Sequence, residues 1–476
     1  MQFSMPQYLL RIAQENLTFR LPHLYSIADV FNFELKIVST DLYRGALVVE
    51  LEDEKHLQQL LDRGLQIMWA AELFAEGSSY DELHTVIRGQ KQSSSRYAPF
   101  MNTSFRFSVE GTNHRISNKR TVETVQSFAY LDFQGDIKMR DAEIEWIVFE
   151  DYDLKELNTP EERLAYDGHF QRVYFGRRID HSRARTLMTS HAVKRRVFFG
   201  NTSMEAEMGF LMASQALPAP GKIVYDPFAG TGSLLYSCAH WGTYVMASDI
   251  DGRQMRGKGK GKDMMPGMLR AAAQYGVADK FLGMMCYDVT LNPIRRGGWI
   301  DAIVTDPPYG VRAGAKRLGK KDKRPPARDE PFVFPDGRVA HLQPGYLPPS
   351  RPYVLTHLTL DLIRLARYLL VPGGRLVFFL PTTSEEYQSI KIPQVEGMLE
   401  VTKGGVPIQD FGTWGRRMIT MEKVAQDDGE PPKFTDYSEV ETQPGDKTFQ
   451  ERYWDSFASK TNGSPAVEQI AQHRDA

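Results

Sequence analysis

Asp306-Pro307-Pro308-Tyr309-Gly310 places a carboxylate, backbone carbonyls and a phenol ring in consecutive positions. The run before it, Ile300 to Thr305, is apolar and reads as a buried strand that ends where a loop begins. Consecutive prolines donate no backbone hydrogen bond and hold φ near about −65°, so the strand cannot continue through them. Asp306, the Pro307 and Pro308 carbonyls and Tyr309 are thereby left at the C-terminal end of a strand, the edge where ligands bind in open α/β sheets. An amino group attached to a flat ring suits this set. Carboxylate and carbonyl accept its N–H bonds, and Tyr309 stacks on the ring face. A proline-rich turn with a buried tyrosine is the plainer alternative.

A second chemical segment, Asp226-Pro227-Phe228-Ala229-Gly230-Thr231-Gly232-Ser233, follows a strand expected at Lys222 to Tyr225 and precedes an apolar helix through Ala239. Gly230 and Gly232 permit a tight turn and close backbone approach to a ligand. The helix then directs its first N–H groups into the same crevice. Asp226, however, would repel a pyrophosphate. A ligand carrying both a cationic amino group and a nucleoside fits better, and S-adenosylmethionine carries both. Asp249 ends the next strand, Thr243 to Ser248, where a carboxylate accepts bonds from ribose hydroxyls. Asp288 follows a third strand, Phe281 to Tyr287, and is placed to meet the adenine amino group.

These segments need a parallel sheet to hold them. From Thr202 to about Val424 strands and helices alternate, the pattern of a mostly parallel sheet covered on both faces. Leu355 to Leu370 reads as an amphipathic helix and Gly374 to Leu380 as the strand after it. Ile408, Phe411 and Trp414 are either buried or line a base pocket. Ahead of this region, residues 1–75 carry the order β-α-β-β-α-β, a ferredoxin-like arrangement, and residues 76–180 carry a second α/β pattern. Residues 181–203 form a basic linker, 204–425 the catalytic domain, and 426–476 an acidic tail expected to be mobile.

The whole chain has 476 residues and a formal net charge of −2, so any nucleic-acid surface must come from local basic patches. Arg115, Lys119 and Arg120 cluster near a helix start. Arg183, Arg185, Lys194, Arg195 and Arg196 crowd the junction, a density suited to a phosphate backbone. Two further basic stretches, Gly252 to Lys262 and Val311 to Arg328, adjoin the candidate site, the second carrying Arg312, Lys316 and Arg317. Two cysteines, Cys238 and Cys286, exclude a cysteine-based zinc site within the chain. No apolar run approaches membrane-spanning length, and a cytoplasmic location is the default expectation.

The segments Asp226 to Ser233 and Asp306 to Gly310 together resemble the class I methyltransferases that modify exocyclic amines. Arg195 to Met204 resembles the substrate-entry segment of THUMP-containing tRNA methyltransferases. With the N-terminal α/β region ahead, the chain is similar to the eukaryotic family acting on N2 of guanosine 10. That resemblance implies a Rossmann-like catalytic domain behind ferredoxin-like and THUMP-like domains. It implies that Asp226, Gly230 and Gly232 hold the methionine end of S-adenosylmethionine, Asp249 its ribose and Asp288 its adenine, with Phe228 also at the cofactor and Thr202 and Met204 near the methyl donor. Asp306, Pro307, Pro308 and Tyr309 would act on the guanine. It further implies tRNA as substrate and a small zinc-binding methyltransferase activator as partner, compatible with an edge strand such as Tyr244 to Ala247. An adenine-N6 methyltransferase, or a non-catalytic RNA-binding protein of the same fold, are the alternatives.

Overall fold

A computed structural model describes residues 5–93, 95–153, 159–257, 265–309, 315–319, 332–343, 346, 349–383, 392–412, 414–432 and 434. The chain forms two compact units, the first running to Thr189 and the second starting at Ser190.

The first unit is built on strands β1 (Gln7–Ile12), β2 (Lys36–Ile37), β3 (Ala46–Glu50), β4 (Ile67–Gly77), β5 (Phe105–Gly111), β6 (Ile144–Asp151) and β7 (Arg172–His181). Its helices include α1 (Arg20–Phe31), α2 (Glu54–Arg63), α3 (Tyr80–Ser93), α4 (Asn118–Ser127), α5 (Pro160–Ala165) and α6 (Thr186–Ser190). The spatial order β2-β3-β1-β4, with β1 antiparallel to both neighbours, is the split βαβ arrangement expected for the first segment. β2 is two residues long, and Phe33 ahead of it stacks on His56 at 4.5 Å between ring centres. The boundary expected at residue 75 falls inside β4, whose outer edge pairs with β7. One seven-stranded sheet, β2-β3-β1-β4-β7-β6-β5, therefore joins the two expected domains. Trp146, Phe74 and Phe175 pack at its centre, with ring centres of Trp146 and Phe175 5.2 Å apart.

The second unit contains α7 (Ala206–Gln215), β8 (Ile223–Asp226), α8 (Ser233–His240), β9 (Tyr244–Asp249), α9 (Gly252–Arg256), α10 (Gly267–Gln274), β10 (Phe281–Cys286) and β11 (Ile300–Thr305). It continues with β12 (Lys316–Leu318), β13 (Ser350–Pro352), α11 (Leu355–Leu369), β14 (Leu370–Thr383), β15 (Met398–Glu400), β16 (Ile408–Asp410) and β17 (Trp414–Lys423). The main sheet runs β10-β9-β8-β11-β14-β17-β15, parallel as far as β14 and antiparallel beyond. β9 is interior, so the edge expected at Tyr244 to Ala247 lies instead at β10. The apolar stripe Leu358, Leu362, Leu365, Ala366 and Leu369 of α11 recurs at helical spacing and packs on Ile303, Leu376 and Ile419 of the sheet. Strand order reverses between β8 and β11, and ligands bind at such a switch point outside the C-terminal strand ends. No helix among the described residues is long and apolar enough to cross a membrane. The expected mobile tail lies almost wholly outside the described residues.

Candidate active site

β8 ends at Asp226 and β11 ends one residue before Asp306, so the two acids leave neighbouring parallel strands at the switch point. Asp226 is buried. Its Oδ1 accepts from the Phe228 amide at 3.0 Å and from Thr305 Oγ1 at 2.6 Å. Burial, reinforced by the nearby charges of Asp249 and Asp306 and only partly countered by those bonds, raises its pKa to about 7.

The turn after Asp226 needs its glycines. Gly230 and Gly232 adopt φ of +51° and +85°, the left-handed region open to glycine. A Cβ on Gly232 would also come within 2.9 Å of Met268 Cγ, whereas one on Gly230 would meet nothing within 4 Å among the described residues. The space beside Gly230 is where a ligand can approach the backbone. Asp249 closes the turn from β9. Its Oδ2 accepts from the Gly230 amide at 2.9 Å and its Oδ1 from the Asp251 amide at 2.8 Å. Burial raises the Asp249 pKa as well. Each oxygen retains acceptor capacity for a hydroxyl.

Asp288 follows β10 and is buried. Its Oδ1 accepts from the Thr290 amide and hydroxyl, both at 2.8 Å, and its Oδ2 accepts from the Leu318 amide. The carboxylate caps its own turn and anchors β12, and Oδ2, with one donor, keeps acceptor capacity as the Asp249 oxygens do.

The segment before α7 is bolted to the glycine turn. Ser203 Oγ lies 2.8 Å from Thr231 Oγ1, and the Met204 amide donates to Ser233 Oγ at 3.2 Å. Met204 is buried and Thr202 exposed. Arg196, expected on RNA, is instead buried. It donates to Ser233 Oγ at 2.7 Å and to the Tyr275 hydroxyl at 3.0 Å, with its guanidinium 4.9 Å from the Tyr236 ring centre. Its position is a brace for the start of α8.

On the other side of the switch, Asp306 meets a residue that the sequence did not mark. Arg416 on β17 donates from Nη1 to Asp306 Oδ2 at 2.9 Å and to the Tyr309 hydroxyl at 3.1 Å. Its Nε donates to Gln409 Oε1 at 2.7 Å, and its guanidinium lies 4.1 Å from the Phe379 ring centre. Asp306 Oδ1 is buried and has no hydrogen-bond partner among the described residues. Burial raises the Asp306 pKa and the Arg416 charge opposes it. Pro307 is buried and Pro308 half-buried. Trp414 stands 6.5 Å from Tyr309 and 4.6 Å from Phe411 between ring centres, and Phe411 is exposed. The antiparallel register Pro381↔Arg416 brings this hairpin to the loop, a relation no local spacing reveals.

The basic residues divide by burial. Arg115, Lys119, Lys194, Arg195 and Lys316 are exposed. Arg120 is engaged by Glu150 and Asp167 and donates to the Tyr152 hydroxyl at 2.9 Å, because α4 packs its side chain onto buried acid groups. Arg183 pairs with Asp62 and with Asp180, the latter at 2.7 Å, and Arg185 donates to the Leu65 carbonyl at 3.0 Å. Arg317 is buried with its guanidinium 5.8 Å from the Tyr353 ring centre. Arg312 lies outside the described residues. Among the described residues no group of three or more His, Cys, Asp or Glu is arranged to hold a metal ion.

Residues 6–184 match the family described as the Tmrp11 THUMP N-terminal domain, and residues 194–321 match the RMKL-like methyltransferase domain. With the switch-point acids and glycine turn, this defines a methyltransferase that carries an N-terminal THUMP unit. The tRNA (guanine(10)-N(2))-methyltransferase of Saccharomyces cerevisiae is 34% identical over 95% of this chain and 100% of its own length. The Homo sapiens tRNA (guanine(10)-N(2))-methyltransferase TRMT11 is 31% identical over 88% of this chain and 89% of its own. The chain belongs to the tRNA (guanine(10)-N(2))-methyltransferase family. Among solved structures, TrmN from Thermus thermophilus is similar at a TM-score of 0.41 and 14% identity, over 88% of this chain and 99% of that one.

Proposed function

We propose that this protein methylates the exocyclic N2 of a guanosine in tRNA, guanosine 10 by analogy with its relatives, using S-adenosylmethionine. The observation that carries the reading is Asp306 Oδ1, a buried acceptor without a partner among the described residues, with the Asp226 carboxylate near it and Asp249 near Asp226. A buried acceptor without a donor asks for one from a ligand, and the group of acids favours a cationic cofactor.

Asp226 and the turn at Phe228, Gly230 and Gly232 would hold the amino acid end of the cofactor, and Asp249 its ribose. Thr202 and Met204 would face the methyl donor from the adjoining segment. When bound, S-adenosylmethionine supplies a methyl on a positively charged sulfur; the new C–N bond forms as the C–S electron pair returns to sulfur. The guanine amine is a poor nucleophile because its lone pair is delocalised into the ring. Asp306 Oδ1 and the Pro307 carbonyl would accept its two N–H bonds, localising the lone pair, and Tyr309 would stack on the base. Orientation of this kind accounts for several kcal/mol, on the order of 7 or more in favourable cases. As positive charge grows on the nitrogen the attraction of Asp306 grows with it, which is differential transition-state binding. One proton then leaves the nitrogen for Asp306 and passes to water.

A guanine stacked in tRNA has to be flipped outward, at a cost of roughly a few kcal/mol. The exposed Arg115, Lys119, Lys194, Arg195 and Lys316 are the candidates for backbone contacts. The zinc-binding activator implied by the resemblance would sit on β10, whose outer edge pairs with no strand among the described residues and exposes Leu282.

The test is transfer from labelled S-adenosylmethionine to unmodified tRNA with the activator present, followed by nucleoside identification, with Asp306→Ala alongside. N2-methylguanosine that vanishes in the variant is the expected result. N6-methyladenosine would overturn the substrate, and no product despite cofactor and tRNA binding would overturn the activity.

A further inference from the structure

We propose, resting on the guanine-amine reaction above, that Arg416 is the positioning residue that keeps Asp306 ionised and assigns its two oxygens to different tasks. Arg416 Nη1 occupies Oδ2 and leaves Oδ1 as the acceptor for substrate. The same nitrogen fixes the Tyr309 hydroxyl, so a single guanidinium sets both the hydrogen-bonding and the stacking group of the loop. Gln409 holds Nε from β16 and the Phe379 ring on β14 supports the guanidinium face, so Arg416 itself is held on two sides.

The electrostatic need is visible in the surroundings. Asp306 is coupled to Asp226 at the end of β8, which is in turn coupled to Asp249 at the end of β9. Burial of Asp306 itself disfavours its charge, and the ionised Asp226 carboxylate disfavours it further. Arg416 on β17 is the cation paired with Asp306 among the described residues. A protonated Asp306 would lose the charge that attracts the methylated nitrogen and would present a donor where an acceptor is required.

Two consequences separate this role from a structural one. Ionised Asp306 is the active form, so activity falls as pH drops through its pKa. Removing the Arg416 charge moves that pKa up, hence the acid limb of kcat moves to higher pH. An arginine beside an aspartate depresses its pKa by roughly one to three units, which sets the size of the expected displacement.

The experiment is kcat against pH from about 4.5 to about 9.5 on saturating tRNA, with activator, for the wild type, Arg416→Gln and Arg416→Lys, each product identified as a nucleoside; the range leaves room for that displacement above the ordinary carboxylate range. Melting temperature and S-adenosylhomocysteine affinity are measured in parallel. Arg416→Gln is expected to lose kcat on the acid side and to regain most of it at the alkaline end, each unit of pKa displacement being about a tenfold change in the ionised fraction below the pKa. Arg416→Lys, which keeps the charge, is expected to restore the acid limb while staying a few-fold below wild type. Should Arg416→Gln not fold, Gln409→Met, which releases the guanidinium on one side, is expected to move the limb in the same direction by less. A kcat loss that is equal at every pH, or an unmoved limb in all variants, overturns the proposal. A wild type that makes no N2-methylguanosine overturns the reaction it rests on, whatever the variants do.

Discussion

Thr305 Oγ1 donates to Asp226 Oδ1 at 2.6 Å, so the last residue of β11 holds the last residue of β8 across the switch point. The cofactor side and the substrate side of the candidate site are thus joined by one hydroxyl. Thr305→Val keeps the shape and removes the donor. Leaving a buried acceptor short of a partner costs about 1–3 kcal/mol. A lower melting temperature and weaker binding of S-adenosylhomocysteine in calorimetry are expected, with the strand pairing intact by circular dichroism.

The raised pKa of Asp226, about 7, gives the pH dependence a definite sign. In the window from about 4 to about 7 the folded protein holds a proton that the unfolded chain has released, so this group's contribution to stability falls as pH rises. A cationic cofactor prefers the ionised carboxylate, so its affinity rises over the same passage. Between pH 6 and pH 8 the gain is expected to approach about tenfold, the change in ionised fraction across a pKa near 7. Asp226→Asn should bind weakly at both pH values and should melt at a higher temperature relative to wild type as pH increases. Titration calorimetry and thermal melts at four pH values check both.

Arg120 and Lys119 are adjacent in sequence and opposite in environment. Arg120 is wedged among Glu150, Asp167 and Tyr152, and Glu150 is fully buried. Arg120→Ala leaves that acid unpaired, at a cost of roughly 3 kcal/mol or more. The Lys119 ammonium stands exposed, 3.9 Å from Glu123. Lys119→Ala is expected to change stability by less than about 0.5 kcal/mol. If it contacts phosphate, the same variant weakens tRNA binding and lowers the salt dependence by about one ion. Urea unfolding and filter binding at two salt concentrations separate the two residues.

Arg196 couples to the cofactor side. Its bonds to Ser233 and Tyr275 hold the start of α8 against the preceding segment. Arg196→Met retains part of the packing and loses both bonds. A several-fold rise in KM for S-adenosylmethionine is expected with KM for tRNA nearly unchanged, whereas a direct phosphate contact would produce the reverse.

Much of the local geometry of the candidate site could be read along the chain because its segments are continuous. Asp226 to Ser233 is one turn between a strand and a helix, with two positive-φ glycines. Asp306 to Tyr309 lies where the prolines stop a buried strand, and the alternation of strands and helices implied the sheet that presents both. The ferredoxin-like order at the N-terminus followed from periodicity in the same way. What the sequence could not determine was which side chains face one another across long separations. Arg416 reaches Asp306 through an antiparallel pairing with β14, and Arg120 finds Glu150 through the packing of α4 on the sheet. Asp288 turned inward to anchor β12, and β4 carried the N-terminal sheet past the expected boundary. Charge and hydropathy describe what a residue can do, but burial and partner are properties of the folded surface. Only tertiary structure decided whether an arginine braces the core, tunes a carboxylate or stands exposed.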